Sequence, residues 1–303
     1  MDTNLPPVGP VPPVGAGVPA EPESLSYIQS VWRRFRRHRL AMFGGALVLA
    51  LVLFALAAPW ILPYKFDDID LAHRFSPPSA THWFGTDDLG HDELTRVIYG
   101  GRVSLLIGFA SAISSAIIGM AIGAVAGYYG GLLDNVLMRF TDIMFAIPTL
   151  PLLFVLSRIL GGSVLSIIVV LVLMGWMTAA RLVRGSILSL KQREFIEASR
   201  AVGAGNARII IRHLLPNALA PVVVASTLMM GSNIILESSL SYLGLGVMPP
   251  TPTWGNMLSN AQEAIWRAPW LAIYPGIFIL VTVLGFNFLG DGLRDALDPK
   301  SKR

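Results

Sequence analysis

The sequence has no cysteine, which excludes disulfide frameworks, thiolate metal sites and cysteine nucleophiles. It has four lysines, Lys65, Lys191, Lys300 and Lys302, and none follows a glycine, so no Walker-type phosphate cradle exists. Neither GxSxG nor HExxH occurs, and no apolar run holds a pair of carboxylates, so enzyme chemistry of those kinds has no residues to carry it. Charge is scarce as well: 14% of residues are charged against 53% hydrophobic, and the mean hydropathy is +0.61. That balance lies far outside the soluble range. The net charge of +4 does not point to nucleic acid, because the basic residues gather at the ends of apolar runs.

The remainder divides by composition. Residues 1–25, rich in proline and glycine, are expected to form a disordered or polyproline-like cytoplasmic tail. They do not read as a secretory signal, since the basic region follows them. Residues 26–39 close on WRRFRRHR and read as a basic amphipathic segment on the lipid surface, with Trp32 and Phe35 among the headgroups. A first span is expected over 40–62, since roughly 20 apolar residues cross a bilayer core. Residues 63–102 form an acidic loop on the far side.

Five further spans are expected between 103 and 290, over 103–133, 143–160, 163–180, 217–236 and 268–290. Gly130-Gly131 breaks the chain after the first of these, and Pro148 and Pro151 predict a kink early in the next. Ser111, Ser115, Gly119, Gly123 and Gly127 recur every four residues, a small-residue stripe that lets helices approach closely in lipid. Intrachain packing is the plainer use of that stripe; contact with a partner is the other. Residues 291–303 form a tail, and with both ends inside, 17 of the 23 basic residues fall in segments assigned to the cytoplasm.

The segment 185–216 does not fit among lipids, because seven Lys or Arg residues lie between Arg181 and Arg212. It reads as two short helices. Phe195, Ile196, Ser199 and Val202 share a face of the first, Gly203 and Gly205 permit a turn, and Asn206 is placed to cap the second. Ile209, Ile210, Ile211, Leu214 and Leu215 continue until Pro216 removes a backbone donor. The pattern alone suits either a knob presented to a cytoplasmic partner or an amphipathic loop lying on headgroups.

The order of residues resembles the EAA loop of binding-protein-dependent ABC importers. Glu197-Ala198-Ser199, Gly203-Ala204 and Leu215-Pro216 carry that likeness. His213 stands where the family usually has an aliphatic residue, as in its peptide-importing relatives. Gly85-Thr86-Asp87, Leu89-Gly90, Asp92, Arg96, Tyr99-Gly100, Arg102 and Ser104-Leu105 are similar to dipeptide, oligopeptide and nickel importer subunits, except that His91 replaces the usual Arg. GYYGGLLDNVLMRFTDI, LGLGVMPPTPTWGNML and the Gly290–Pro299 stretch extend the likeness over about 30–300.

The resemblance implies an all-α polytopic membrane protein with six transmembrane helices, the type I importer permease architecture, and a cytoplasmic coupling helix. It implies that Glu197, Ala198, Ser199, Gly203, Ala204, Leu215 and Pro216 couple the chain to an ATPase. Implied partners are a second homologous permease, two ATP-binding subunits, an extracytoplasmic binding protein, membrane lipid and a peptide cargo, with no nucleic acid. No cofactor is expected in this chain; ATP and magnesium belong to the ATPases. The implied location is a bacterial cytoplasmic membrane with both termini inside. A nickel complex is the alternative cargo, and a secondary transporter is the rival class, although midplane ion-coupling groups and internal repeats are not evident.

Two constellations lie outside that loop. Glu237 and the adjacent Ser238, at the edge of a span, are expected either to line the outer mouth of the pathway or, for the carboxylate, simply to be solvated at the helix end, with Asn287 as a further pathway residue. His73, His82 and His91 sit near several Asp residues, but a nine-residue spacing matches no helix face or finger, so no metal is expected.

Overall fold

A long uncharged segment in hydrocarbon must satisfy its backbone internally, and a single chain does so by becoming helical. The computed structural model describes residues 27–298; the expected tail over 1–25, and Lys300 and Lys302, lie outside the described residues. Among the described residues the only β pairing is an isolated bridge between Thr86 and Asp92. The helices are α1 (Tyr27–Arg37), α2 (Arg39–Ile61), α3 (Glu93–Tyr129), α4 (Gly131–Ala146), α5 (Thr149–Leu160) and α6 (Val164–Leu190). They continue with α7 (Glu194–Ala201), α8 (Asn206–Ile209), α9 (Leu215–Tyr242), α10 (Trp254–Ala261) and α11 (Trp270–Leu297). Five helices are long and apolar enough to cross a membrane, α8 and α9 counting as one, and a sixth span exists if α4 and α5 together make one.

Helix α3 is the central post. It packs most extensively on α6 and also meets α9 and α2, while α11 lies against α2 and α9. The small-residue stripe faces α6: a Cβ on Gly119 would come within 2.6 Å of the Ala179 Cβ, and one on Gly123 within 3.0 Å of the Val183 Cβ. The stripe therefore serves packing within the chain. Toward α9 the contact is polar, with Asn233 Nδ2 donating to Ser111 Oγ at 2.7 Å.

Several boundaries differ from the sequence reading, each for a physical reason. Helix α3 begins ten residues before the expected span, since Asp92 caps it by accepting from the Thr95 amide. The kink expected over 143–160 is a full break, with α4 and α5 bent by 91°. Pro148 forces the preceding Ile147 into an extended conformation, which ends α4. Pro216 ends nothing: the helix widens into a π turn over Ile210–Leu214 immediately before it, the Leu215 amide bonding the Ile210 carbonyl, and resumes as α9. The proline-rich stretch from 243, which reads as a loop, gives way at Trp254 to α10, a largely buried helix started by a Thr253/Asn256 capping box.

Substituting Gly123 by Leu should lower the stability of the purified protein by about 1–3 kcal/mol, the usual cost of overpacking. A thermal melt in detergent checks this; an unchanged midpoint would mean that the α3–α6 seam is not close-packed.

Candidate functional site

The charged segment 185–216 folds as a knob on the end of the α3–α6 pair. Three side chains anchor it: Ile196 from α7, Ile209 from α8 and Leu214 from the π turn are fully buried against Val183, Ile187 and Ala124. Outside, α7 exposes Phe195 (43%) among the charged Glu194, Glu197 and Arg200, and Val202, just past its end, is 86% exposed. The face expected to carry Phe195, Ile196 and Val202 together is thus divided, one residue gripping the base and two pointing away. Glu197 and Ala198 are exposed and Ser199 is half-buried, its Oγ donating back to the Phe195 carbonyl at 2.8 Å.

Gly203 makes the turn. Its φ of +82° lies in the left-handed region, and its amide bonds the Arg200 carbonyl at 2.9 Å. A Cβ there would meet nothing within 4 Å, so the position is open to an incoming surface. Ala204 is half-buried behind it, with its amide on the Ser199 carbonyl at 3.0 Å. Leu215 is half-buried and Pro216 exposed at the start of α9. The structure therefore brings Glu197, Ala198, Ser199, Gly203 and Ala204 together at the tip, while Leu215 and Pro216 lie at the base.

Asn206 does not cap the second helix. Its Oδ1 accepts from the Tyr128 hydroxyl at 2.7 Å instead, and the Arg200 guanidinium lies 5.7 Å from the centre of the Tyr128 ring. Tyr128 thereby clasps the turn from the end of α3, a role no local pattern signals. Lys191 donates to the Gly127 carbonyl at 2.9 Å, closing the C-terminal end of α3. Arg184 grips Asp134 of α4 with two bonds of 2.5 and 2.7 Å, a planar fork that fixes α4 to α6.

The expected pathway residues lie elsewhere, and their setting corrects the reading. Glu237 does not line an open mouth: it is 0% exposed, enclosed between α3, α9 and α10. Its carboxylate accepts from Ser241 Oγ at 2.7 Å and Ser104 Oγ at 3.1 Å, and Ser104 Oγ in turn accepts from the Trp254 amide at 3.3 Å. A carboxylate counted to the end of a span was expected to meet water; α10 folds back over it. Ser238 is buried against Gly255 of α10, and Asn287 is half-buried on α11.

The histidines do not converge on one point. His82 pairs with Asp92 at 3.0 Å, His91 with Asp87 at 2.7 Å and His73 with Asp70 at 2.7 Å. Among the described residues no group of three potential ligands could hold a metal. His91 keeps an ionic setting in spite of replacing Arg, because Asp87 also lies 3.4 Å from Arg96. Burial pushes the Asp87 carboxyl upward, but the His91 hydrogen bond and the Arg96 charge outweigh it and leave the group below the usual carboxylate range.

A bundle of five or six apolar helices with a charged, apolar-tipped knob at one end defines a polytopic membrane protein built to engage a partner outside the bilayer. The family described as binding-protein-dependent transport system inner membrane component matches residues 119–303, and the N-terminal TM domain of oligopeptide transport permease C matches residues 26–78. The chain belongs to this family of transport-system membrane components and is not an enzyme. It is 41% identical over 285 residues to the dipeptide transport system permease protein DppC of Alkalihalophilus pseudofirmus, covering 93% of this chain and 94% of that one. The oligopeptide transport system permease protein OppC of Bacillus subtilis is 41% identical over 281 residues, 93% of this chain and 92% of that protein. The glutathione transport system permease protein GsiD of Escherichia coli O157:H7 is 44% identical over 272 residues, 89% and 90% of the two chains. Among solved structures, an inward-facing MetNI methionine ABC transporter aligns with a TM-score of 0.55 and 22% identity over 67% of this chain and 97% of that one, a likeness of fold.

Two outcomes follow from these contacts. Glu237→Ala should destabilise the protein by about 2–4 kcal/mol, by leaving two serine hydroxyls buried without an acceptor, whereas Glu237→Gln should cost less than half as much. Thermal melts in detergent compare the two; equal, negligible losses would remove the network from the structure. Asp87→Asn should cost about 1–2 kcal/mol at neutral pH. A depressed carboxyl stabilises fully above its unfolded value and loses that contribution as the pH falls through its folded value. The gap between variant and wild type should therefore close on acidification, and a gap independent of pH would contradict the assignment.

Proposed function

We propose that this chain is one permease subunit of an ATP-driven importer of dipeptides or oligopeptides, with the knob as its coupling element. The observation that carries the proposal is the knob itself: three buried aliphatic anchors hold it rigidly, while Phe195, Val202 and the open Gly203 turn face outward. An apolar, rigid protrusion on a charged segment suits a cleft in a soluble subunit better than a lipid surface. Relatives named for dipeptide, oligopeptide and glutathione transport favour a peptide cargo over a nickel complex.

In this reading the assembly has a second homologous permease, two ATP-binding subunits and an extracytoplasmic binding protein. Both termini and the knob lie in the cytoplasm, in keeping with the placement of basic residues. ATP binding draws the ATPase pair together, and the knob carries that motion to α3, α6 and α9. Ligand energy biases an equilibrium between inward- and outward-facing states through unequal affinity for them. Ser199 and Ala198 allow close approach, Gly203 makes the turn, and Glu197 supplies a polar contact or orients the loop.

The test is co-expression with the candidate ATPases and partner permease, comparing wild type with Gly203→Asp. That change places a side chain at positive φ and adds charge at the tip, so ATPases should co-purify with the wild type and be lost at least about tenfold from the variant. Retention of the ATPases together with normal uptake in G203D would remove the knob from the mechanism. Uptake abolished by a protonophore but not by vanadate would favour a secondary transporter.

A further inference from the structure

At the end opposite the knob, the chain encloses a pocket of about 780 Å³ that the coupling reading does not use. One wall comes from the 66–75 loop, another from the turn that leads into α3, and the third from α10 and the residues after it. Five carboxylates line it, from Asp67, Asp87, Asp88, Glu93 and Glu263, against one guanidinium, that of Arg96. Asp67, Asp88 and Glu263 are exposed on the rim. Asp87 is engaged by His91 and Arg96.

Glu93 is different. It is one of the residues around the pocket, it is only 2% exposed, and its buried Oε1 has no hydrogen-bond partner. An unpaired buried carboxylate oxygen is costly, and the cost is relieved when a donor arrives. The cations nearby do not supply it. Arg96 is turned to Asp87 and His91, Arg74 Nε donates to the Asp88 carbonyl, and Arg267 lies over the Phe75 ring with its carbon 4.4 Å from the centroid. A concave wall rich in one sign of charge concentrates ligands of the other sign.

We propose that this pocket binds an organic cation, an alkylammonium or guanidinium group, with Glu93 as its counter-ion. A metal ion is the poorer occupant, because no three potential ligands among the described residues are grouped closely enough to hold one. An ammonium or guanidinium needs fewer ligands and brings the donors that a lone carboxylate oxygen lacks. Phe66, Ile69 and Leu271, which also line the pocket, offer apolar surface to the alkyl stem. Such a group could come from a basic side chain of a protein seated on this face or from the free amino terminus of a peptide.

The pocket is made by this chain alone, so its test does not depend on the assembly or on uptake. The full-length chain in lipid nanodiscs is titrated calorimetrically with N-acetyl-arginine amide and with its neutral isostere N-acetyl-citrulline amide. Alanine amide and N-acetyl-alanine amide form the matching pair for a free amino terminus. The cationic member of at least one pair should bind at least about tenfold more tightly than its neutral partner, and Glu93→Gln should abolish that preference. Stronger binding of the arginine probe assigns the site to a protein side chain, and stronger binding of alanine amide assigns it to a peptide terminus. Equal binding of charged and neutral probes, or an undiminished preference in E93Q, overturns the proposal. Should E93Q fail to fold, Asp88→Asn with Glu263→Gln, both on the exposed rim, decides the matter: an unchanged preference in that double variant, insensitive to added salt, supports a buried counter-ion, whereas loss of the preference places the counter-ions on the rim and overturns the proposal.

Discussion

The close approach of α3 and α6 is the constraint on which the rest depends. In lipid there is no hydrophobic drive between apolar helices, so their association rests on how near the backbones can come. Gly119, Gly123 and Gly127 remove the side chains that would hold α6 away, and the contacts a Cβ would make at each are with α6. Because the two helices lie so near, Val183 and Ile187 form a firm socket at one end of the seam. Ile196, Ile209 and Leu214 occupy that socket, so the rigidity of the knob descends from glycines far from it in sequence.

Helix α9 extends that rigidity along the molecule. It leaves the knob through a π turn, passes Asn233, which bonds Ser111 of α3, and reaches Glu237 beneath α10. Polar bonds between helices in a low-dielectric setting are directional in a way that apolar contacts are not. The pairing of Glu237 with Ser104 and Ser241 therefore fixes register and orientation where packing alone would allow sliding. The knob and the buried carboxylate lie toward the two ends of one helical element, which contains the π turn and, within α9, Pro221.

Much of this was legible beforehand because its causes are local. Charge excluded 185–216 from lipid, Gly203 marked the turn, and the every-fourth-residue stripe marked a close contact. What escaped the reading depends on residues distant in sequence. Pro216 looks like a terminator, yet the helix widens into a π turn immediately before it and carries on as α9. Asn206 has the chemistry of a cap, yet Tyr128, 78 residues away in sequence, takes its oxygen. Glu237 sits at the end of an apolar run by count, and only the return of α10 over it turns an expected surface carboxylate into an enclosed one.

The two buried glutamates show why a count of apolar residues cannot assign a carboxylate's work. Both lie near the ends of long helices, and both are nearly or fully enclosed. Glu237 has hydroxyl donors on each oxygen and ties three helices together, so its hydrogen-bonding capacity is spent on structure. Glu93 keeps one oxygen without a donor in the lining of a pocket rimmed by further carboxylates. Burial is equal in the two, and satisfaction is not. The difference in partners, which only folding creates, separates a carboxylate that holds the bundle from one that is free to receive a ligand.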